Sequence, residues 1–130
     1  MRKQEMARGP QGRVIAVDSI TQLDAGDAGA IVVTGSHGGR SSAQFALQRP
    51  LRAVFFNDAG IGKDDAGIAA LAMLQARGIA AATVSHTSAR IGDALDAWQH
   101  GVVSHVNGAA LALGVHVGQA VCQAAESLLG

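Results

Sequence analysis

The stretch from Ala30 to Ser42 constrains the fold more than any other part of the chain. Ile31-Val32-Val33 is a β-branched apolar run, which suits a pleated, buried surface. Gly35, Gly38 and Gly39 follow at once and permit a sharp turn. Arg40 to Gln48 then reads as a helix. The grammar recurs down the chain: Asn57-Asp58 follows Ala53 to Phe56, Ser85-His86 follows Ala80 to Val84, and Ser104-His105 follows Val102-Val103. Short apolar runs that end in small polar residues or histidine, alternating with helical segments, predict a parallel sheet with helices on its faces.

The elements follow from this pattern. Strands are expected over Arg13 to Val17, Ala30 to Thr34, Leu51 to Phe56 and Ile79 to Val84, with Val102-Val103 as a short fifth. Helices are expected over Arg40 to Gln48, from Lys63 or Asp64 to Arg77, over Ala89 to Gln99, over Gly108 to Leu113 and over Val117 to Leu129. Asp64 and Asp65 sit where a helix N-terminus favours negative charge, and Gly78 sits where a helix ends on a left-handed residue. The link from Ile20 to Gly29 is short for a crossover helix, so the first two strands are joined irregularly or run antiparallel. Residues 1–12, closed by Gly9-Pro10-Gln11-Gly12, read as a flexible arm. Residues 13–130 then form one α/β domain with a mostly parallel sheet of four to five strands and helices on both faces, a Rossmann-like, doubly wound arrangement.

Composition narrows the function. The formal net charge is zero and aromatic residues are 3% of the chain, so neither a basic field nor a stacking platform for nucleic acid is offered. No apolar run approaches the ~18 residues of a membrane span. The N-terminal segment lacks the apolar core of a signal peptide, and the expected compartment is the cytoplasm. Cys122 is the only cysteine, which excludes an intrachain disulfide. Only 15% of residues are charged, and Glu126 is the sole acid after Asn107, so a homo-oligomer burying part of the region from Gly108 to Leu129 is expected.

Ligands of a doubly wound sheet bind outside the carboxyl ends of its strands. Those positions carry Asp18-Ser19, Ser36-His37, Asn57-Asp58, Ser85-His86 and Ser104-His105. The loop containing Ser36, Gly38, Gly39 and Arg40 is the candidate anion cradle, although neither the phosphate-loop spacing nor Gly-x-Gly-x-x-Gly is present. Packing alone is the alternative for its glycines. His37, His86 and His105 are candidate general bases, because imidazole changes charge near neutral pH. Asp58 is the candidate orienting carboxylate, and Ser36, Ser88 or a water the nucleophile. Asn57, Arg90 and Asn107 are candidate substrate contacts, with Arg90 able to grip a carboxylate in bidentate fashion. No metal or cofactor is the first expectation. Zinc on the histidines with Asp58 or Asp18 is the alternative, although no local His-x-x-x-His or His-x-His pair fixes such a site. These residues suggest a hydrolase acting on a small polar, carboxylate-bearing substrate. A non-catalytic ligand-binding subunit using the same pocket is the other reading.

Overall fold

A computed structural model describes residues 1–130. Six strands form one sheet in sequential order: β1 (Lys3–Gly9), β2 (Gly12–Val17), β3 (Ile31–His37), β4 (Ala53–Asn57), β5 (Ala80–Val84) and β6 (Val103–Val106). The centre, β2 to β5, is parallel, while β1 pairs with β2 and β6 with β5 antiparallel. The expected four- to five-stranded, mostly parallel, doubly wound sheet is therefore replaced by a six-stranded mixed sheet. Its strand order never reverses, so it has no switch point at which a crevice would open.

The two antiparallel edges account for the difference. Residues 1–12 were expected to be a flexible arm, but Gly12 adopts a φ of +128° and turns Lys3–Gly9 back onto β2. Lys3 is held at the far end by Asp24 and Asp27, and Met6 and Ala7 pack on the core. At the other edge, the chain returns from α3 (Ala94–His100) through Gly101 and enters β6 from the carboxyl end of β5. Direction at an edge depends on where the preceding helix delivers the chain, which residue patterning does not record.

Alternation along the strands fills two apolar layers. Val32, Val54, Phe56 and Ala81 face α1 (Arg40–Ala46) and α2 (Ala69–Gln75), whereas Val33, Phe55, Ala82 and Val84 face α3 and α5 (Val121–Ser127). All five residues of β5 are buried, because helices cover both faces, and its three consecutive alanines let those helices approach closely. The link between β2 and β3 carries two single turns of tighter helix, Ile20–Gln22 and Ala25–Asp27, and the strands it joins are parallel. The helix expected from Lys63 onward starts later, at Ala69, because Asp64 and Asp65 both take left-handed conformations with φ of 56°. The third helix starts at Ala94 rather than Ala89, where the Asp93 carboxylate accepts the Asp96 N–H as a cap. The fourth, α4 (Gly108–Ala112), is capped by Asn107. No helix is long and apolar enough to cross a membrane.

The last helix corrects the expected interface. Val121, Ala124, Ala125 and Leu128 of α5 and its C-terminal turn are buried in the sheet of their own subunit. Their low charge reflects that packing. The exposed apolar residues of this part of the chain are instead Leu111, Leu113 and Val117.

Candidate functional site

The loop after β4 is the most constrained segment of the molecule. Asn57 ends the strand fully buried; its amide donates to the Ala89 carbonyl and its Oδ1 accepts the Ala59 N–H. Ala59, Gly60, Ile61 and Gly62 then follow with φ of 53°, 75°, 68° and 73°. A positive φ at a β-branched residue such as Ile61 is a true outlier. It persists because the Ile61 N–H donates to the Asp58 carbonyl and the Ile61 carbonyl accepts the Gly67 N–H. Gly67 in turn lies against the Asp58 carbonyl so closely that a Cβ would land on that oxygen. Gly38, from the loop after β3, packs on the Gly67 carbonyl, where a Cβ would come within 2.6 Å. Loops after two neighbouring strands are thus locked together through glycines.

This scaffold presents Asp58. Its carboxylate is buried, and one oxygen, Oδ1, accepts the Gly60 N–H at 2.8 Å, the His86 N–H at 3.1 Å and His86 Nδ1 at 3.2 Å. Burial pushes the carboxyl upward in pKa, but the Gly60 N–H, the Ser104 hydroxyl and the two His86 groups outweigh it and hold Asp58 below the ordinary carboxylate value. An ionised carboxylate only accepts, so His86 must place its proton on Nδ1, leaving the Nε2 lone pair free. The His86 side chain is 51% exposed, in contrast to the buried carboxylate it meets. Gly60 lies under the ring, with the position of a Cβ 3.5 Å from Cε1.

His105 reaches the same region by another route. It lies inside β6 rather than after a strand, and comes to this edge because β6 begins where the parallel strands end. Thr83 pairs with His105 and Val84 with Val103, so Ser104 is an extra residue in a bulge. Regular alternation would put Ser104 and His105 on opposite faces; the bulge turns both toward Thr83. Thr83 Oγ1 lies 2.9 Å from Ser104 Oγ and 3.3 Å from His105 Nδ1, and the last two atoms are 3.2 Å apart. Thr83 was not singled out from the sequence, and Ser104 only as the neighbour of His105 at a strand end. Only the irregular register brings them together.

Ser36, Ser88, Asn107 and Gly38 are hydrogen-bonded within the fold, whereas His37, Arg40 and Arg90 keep their side chains unpaired. Ser36 Oγ accepts the Ile20 N–H at 2.9 Å. Ser88 Oγ donates to the Ser85 carbonyl and accepts the Val102 N–H. Asn107 donates to the Leu71 and Ile79 carbonyls and accepts the N–H groups of Ala81 and Ala110, which spends its amide on joining α2, β5 and α4. The Gly38 N–H donates to the Asn57 carbonyl, which removes it from the expected anion cradle, and Gly39 is the N-cap of α1. The His37 ring folds over Gly39, and neither that ring nor the Arg40 guanidinium has a side-chain partner. Arg90 gives only its backbone N–H, to Asp96 Oδ2.

No three histidine, cysteine, aspartate or glutamate side chains gather in a metal-ligand arrangement, so the zinc alternative has no ligand set within this chain. Asp18, its other proposed member, accepts the N–H groups of Arg2 and Ala94 instead. Nor is the pair Asp58–His86 enclosed. A groove of about 530 Å³ runs beside it in sequence, lined by Arg40, Lys63, Asp64 and the outer face of α2, but neither residue lines it. Comparison with protein-family models, curated proteins and solved structures finds no match for this chain.

Proposed function

We propose that the domain is a small-molecule hydrolase in which His86 is the general base, Asp58 its orienting carboxylate and a water the nucleophile. One observation carries this reading: a buried carboxylate accepts from Nδ1 of a half-exposed imidazole, which leaves Nε2 as its basic nitrogen. Water takes the nucleophile's role because the hydroxyls of Ser36 and Ser88 are engaged within the fold. The substrate class is small, polar and carboxylate-bearing, its anion meeting Arg40 or Arg90, which form no ion pair within the chain. His86→Gln and Asp58→Asn should each lower hydrolysis of a carboxylate-bearing amide or ester by roughly 10²- to 10⁴-fold. A panel of such substrates followed by pH-stat tests this. Hydrolysis that survives both changes would remove the proposal.

The open position of the pair favours a second reading, a binding subunit without chemistry. It predicts saturable ligand binding by calorimetry that weakens in His86→Gln, with the ligand recovered intact. The exposed Leu111, Leu113 and Val117 support a homo-oligomer in either case. Light scattering should report a mass above the 13.1 kDa of one chain. Leu113→Glu should return the mass to that value.

A further inference from the structure

Helix α2 is apolar both on the side that is packed and on the side that is not. Ala70, Leu71 and Leu74 are buried against the sheet. Ala69, Ala72 and Met73, at spacings of three and four, form a second face. A surface helix normally carries charge on its outer face, yet α2 has no charged residue from Ala69 to Gln75. That outer face, with Ala66, is the floor of the groove of about 530 Å³, a volume inside the span of roughly 300–1,000 Å³ typical of small-ligand sites. The charged residues of its lining are Arg40, Lys63 and Asp64. Neither Arg40 nor Lys63 forms an ion pair within the chain, so the groove keeps an excess of positive charge.

Each of α1 and α2 returns between neighbouring parallel strands, so both begin at the carboxyl edge of the sheet. Arg40 opens α1 and Lys63 precedes α2, which sets both cations at that edge and Met73 a turn away from it. We infer that the groove binds a carboxylate carrying an apolar body, the anion at Arg40 and Lys63 and the body along Ala66, Ala69, Ala72 and Met73. Two cations opposed by the single acid Asp64 suit one negative charge, and an uncharged floor suits hydrocarbon. The anion lies at the edge that carries Asp58 and His86, since Gly67, next to Ala66, packs on the Asp58 carbonyl. Arg40 rather than Arg90 is then the partner of the anion, and the carboxylate-bearing substrate gains an apolar half. That use of the groove rests on the proposed hydrolase reading; the binding itself does not.

Amide NMR of the intact chain, titrated with acetate, butyrate, hexanoate and octanoate at low ionic strength, tests the groove without turnover. Affinity should rise by about 3- to 4-fold for each methylene that enters the groove, with shifts concentrated on Lys63 to Met73. Hexanol, which lacks the charge, should bind roughly 5-fold more weakly than hexanoate. Arg40→Gln and Lys63→Gln should each weaken hexanoate by roughly 2- to 5-fold and leave hexanol unchanged. Asp64→Asn should tighten hexanoate by about 2-fold, and asparagine tolerates the φ of 56° at that position. Ala69→Glu should abolish binding while the fold is kept, because an acid suits the first turn of a helix. Arg77→Gln, beyond the far end of α2, should change nothing. Equal affinity for acetate and hexanoate, shifts centred away from α2, unaltered affinity in both cation variants, or hexanoate binding that survives Ala69→Glu would overturn the groove. Hexanoate bound as expected by a protein that hydrolyses no amide or ester would remove the hydrolase reading alone. Hydrolysis without any carboxylate bound at α2 would remove the groove alone.

Discussion

Two aspartates of this molecule are almost equally buried and are held in opposite ways. Asp27, with its side chain 3% exposed, meets Lys3 Nζ at 2.9 Å and an Arg13 guanidinium nitrogen at 2.8 Å. Asp58, with its side chain 6% exposed, meets no lysine or arginine and is satisfied by the Gly60 and His86 N–H groups and one exposed imidazole. Both titrate below the ordinary carboxylate value; at each, burial acts upward and the donors overcome it. The chemistry differs all the same. A carboxylate neutralised by two cations joins β1, β2 and the following turn and has nothing left to offer a ligand. One paired with an exposed histidine passes its influence to the surface. Burial and pKa direction do not separate structure from function here; the identity of the partner does.

The sharpest way to break the comparison is to disturb the backbone that carries Asp58. Gly67→Ala sets a methyl group on the Asp58 carbonyl oxygen and should cost about 3 kcal/mol or more, read from urea midpoints. Beside Asp27, Gly26→Ala meets only Asp24 Oδ1 at 3.2 Å and should cost less than about 1 kcal/mol.

Removing charge comes next. Asp27→Asn should cost about 2–3 kcal/mol, below the full range for a buried pair because the Lys3 and Arg13 side chains are 32% and 26% exposed and regain water. Asp58→Asn keeps an acceptor for the loop N–H groups and leaves no cation behind, so it should cost only about 1 kcal/mol. The order of the two should reverse in any assay of the site.

Acid should act through both. Their folded pKa values are lower than those of the unfolded chain, so the stability they confer is complete above the unfolded value and is lost as pH falls through the folded ones. Asp27→Asn should flatten much of the acid limb of stability against pH, and Asp58→Asn a smaller part. Lys3 acts at the other end of the scale. Its hydrogen bond to Asp27 raises its pKa, so that contribution is complete below the unfolded value and fades as pH rises through the folded one. The smallest change should carry the opposite sign. Ile61→Gly removes the cost of a φ of 68° at a β-branched residue and should stabilise the protein by about 0.5–1 kcal/mol, after the entropy of glycine is subtracted.

Much of the centre of the fold was legible. Ile31-Val32-Val33 and Ala80 to Val84 read as buried strands because period-two packing and β-branched side chains are local properties. Asp58 and His86 read as residues of one sheet edge because both follow parallel strands, but the sequence leaves open whether Asp58 meets His37 or His86. The glycine loop was legible as a turn but not as a packing device, since its neighbour Gly67 lies 29 positions further along the chain from Gly38. Asn107 looked like a ligand contact and Ser88 like a nucleophile because amides and hydroxyls serve caps and sites alike. Each combines a local partner, the Ser85 carbonyl for Ser88 and the Ala110 N–H for Asn107, with backbone groups remote in sequence that no pattern announces.

By itself the sequence determined the α/β class, the parallel run of β3 to β5 and the strand edge at which polar groups collect; it left the direction of β2 against β3 open. These follow from alternation, from turn residues and from helices long enough to cross between strands. The tertiary structure decided what lies at the two edges: that Lys3–Gly9 joins the sheet, and that β6 runs antiparallel with Ser104 bulged beside Thr83. It also decided that Asp27 is paired with cations and Asp58 with a histidine. Each of these depends on a contact between residues far apart in the chain. The energy of such a contact exists only once the intervening segments have packed, so no local pattern records it.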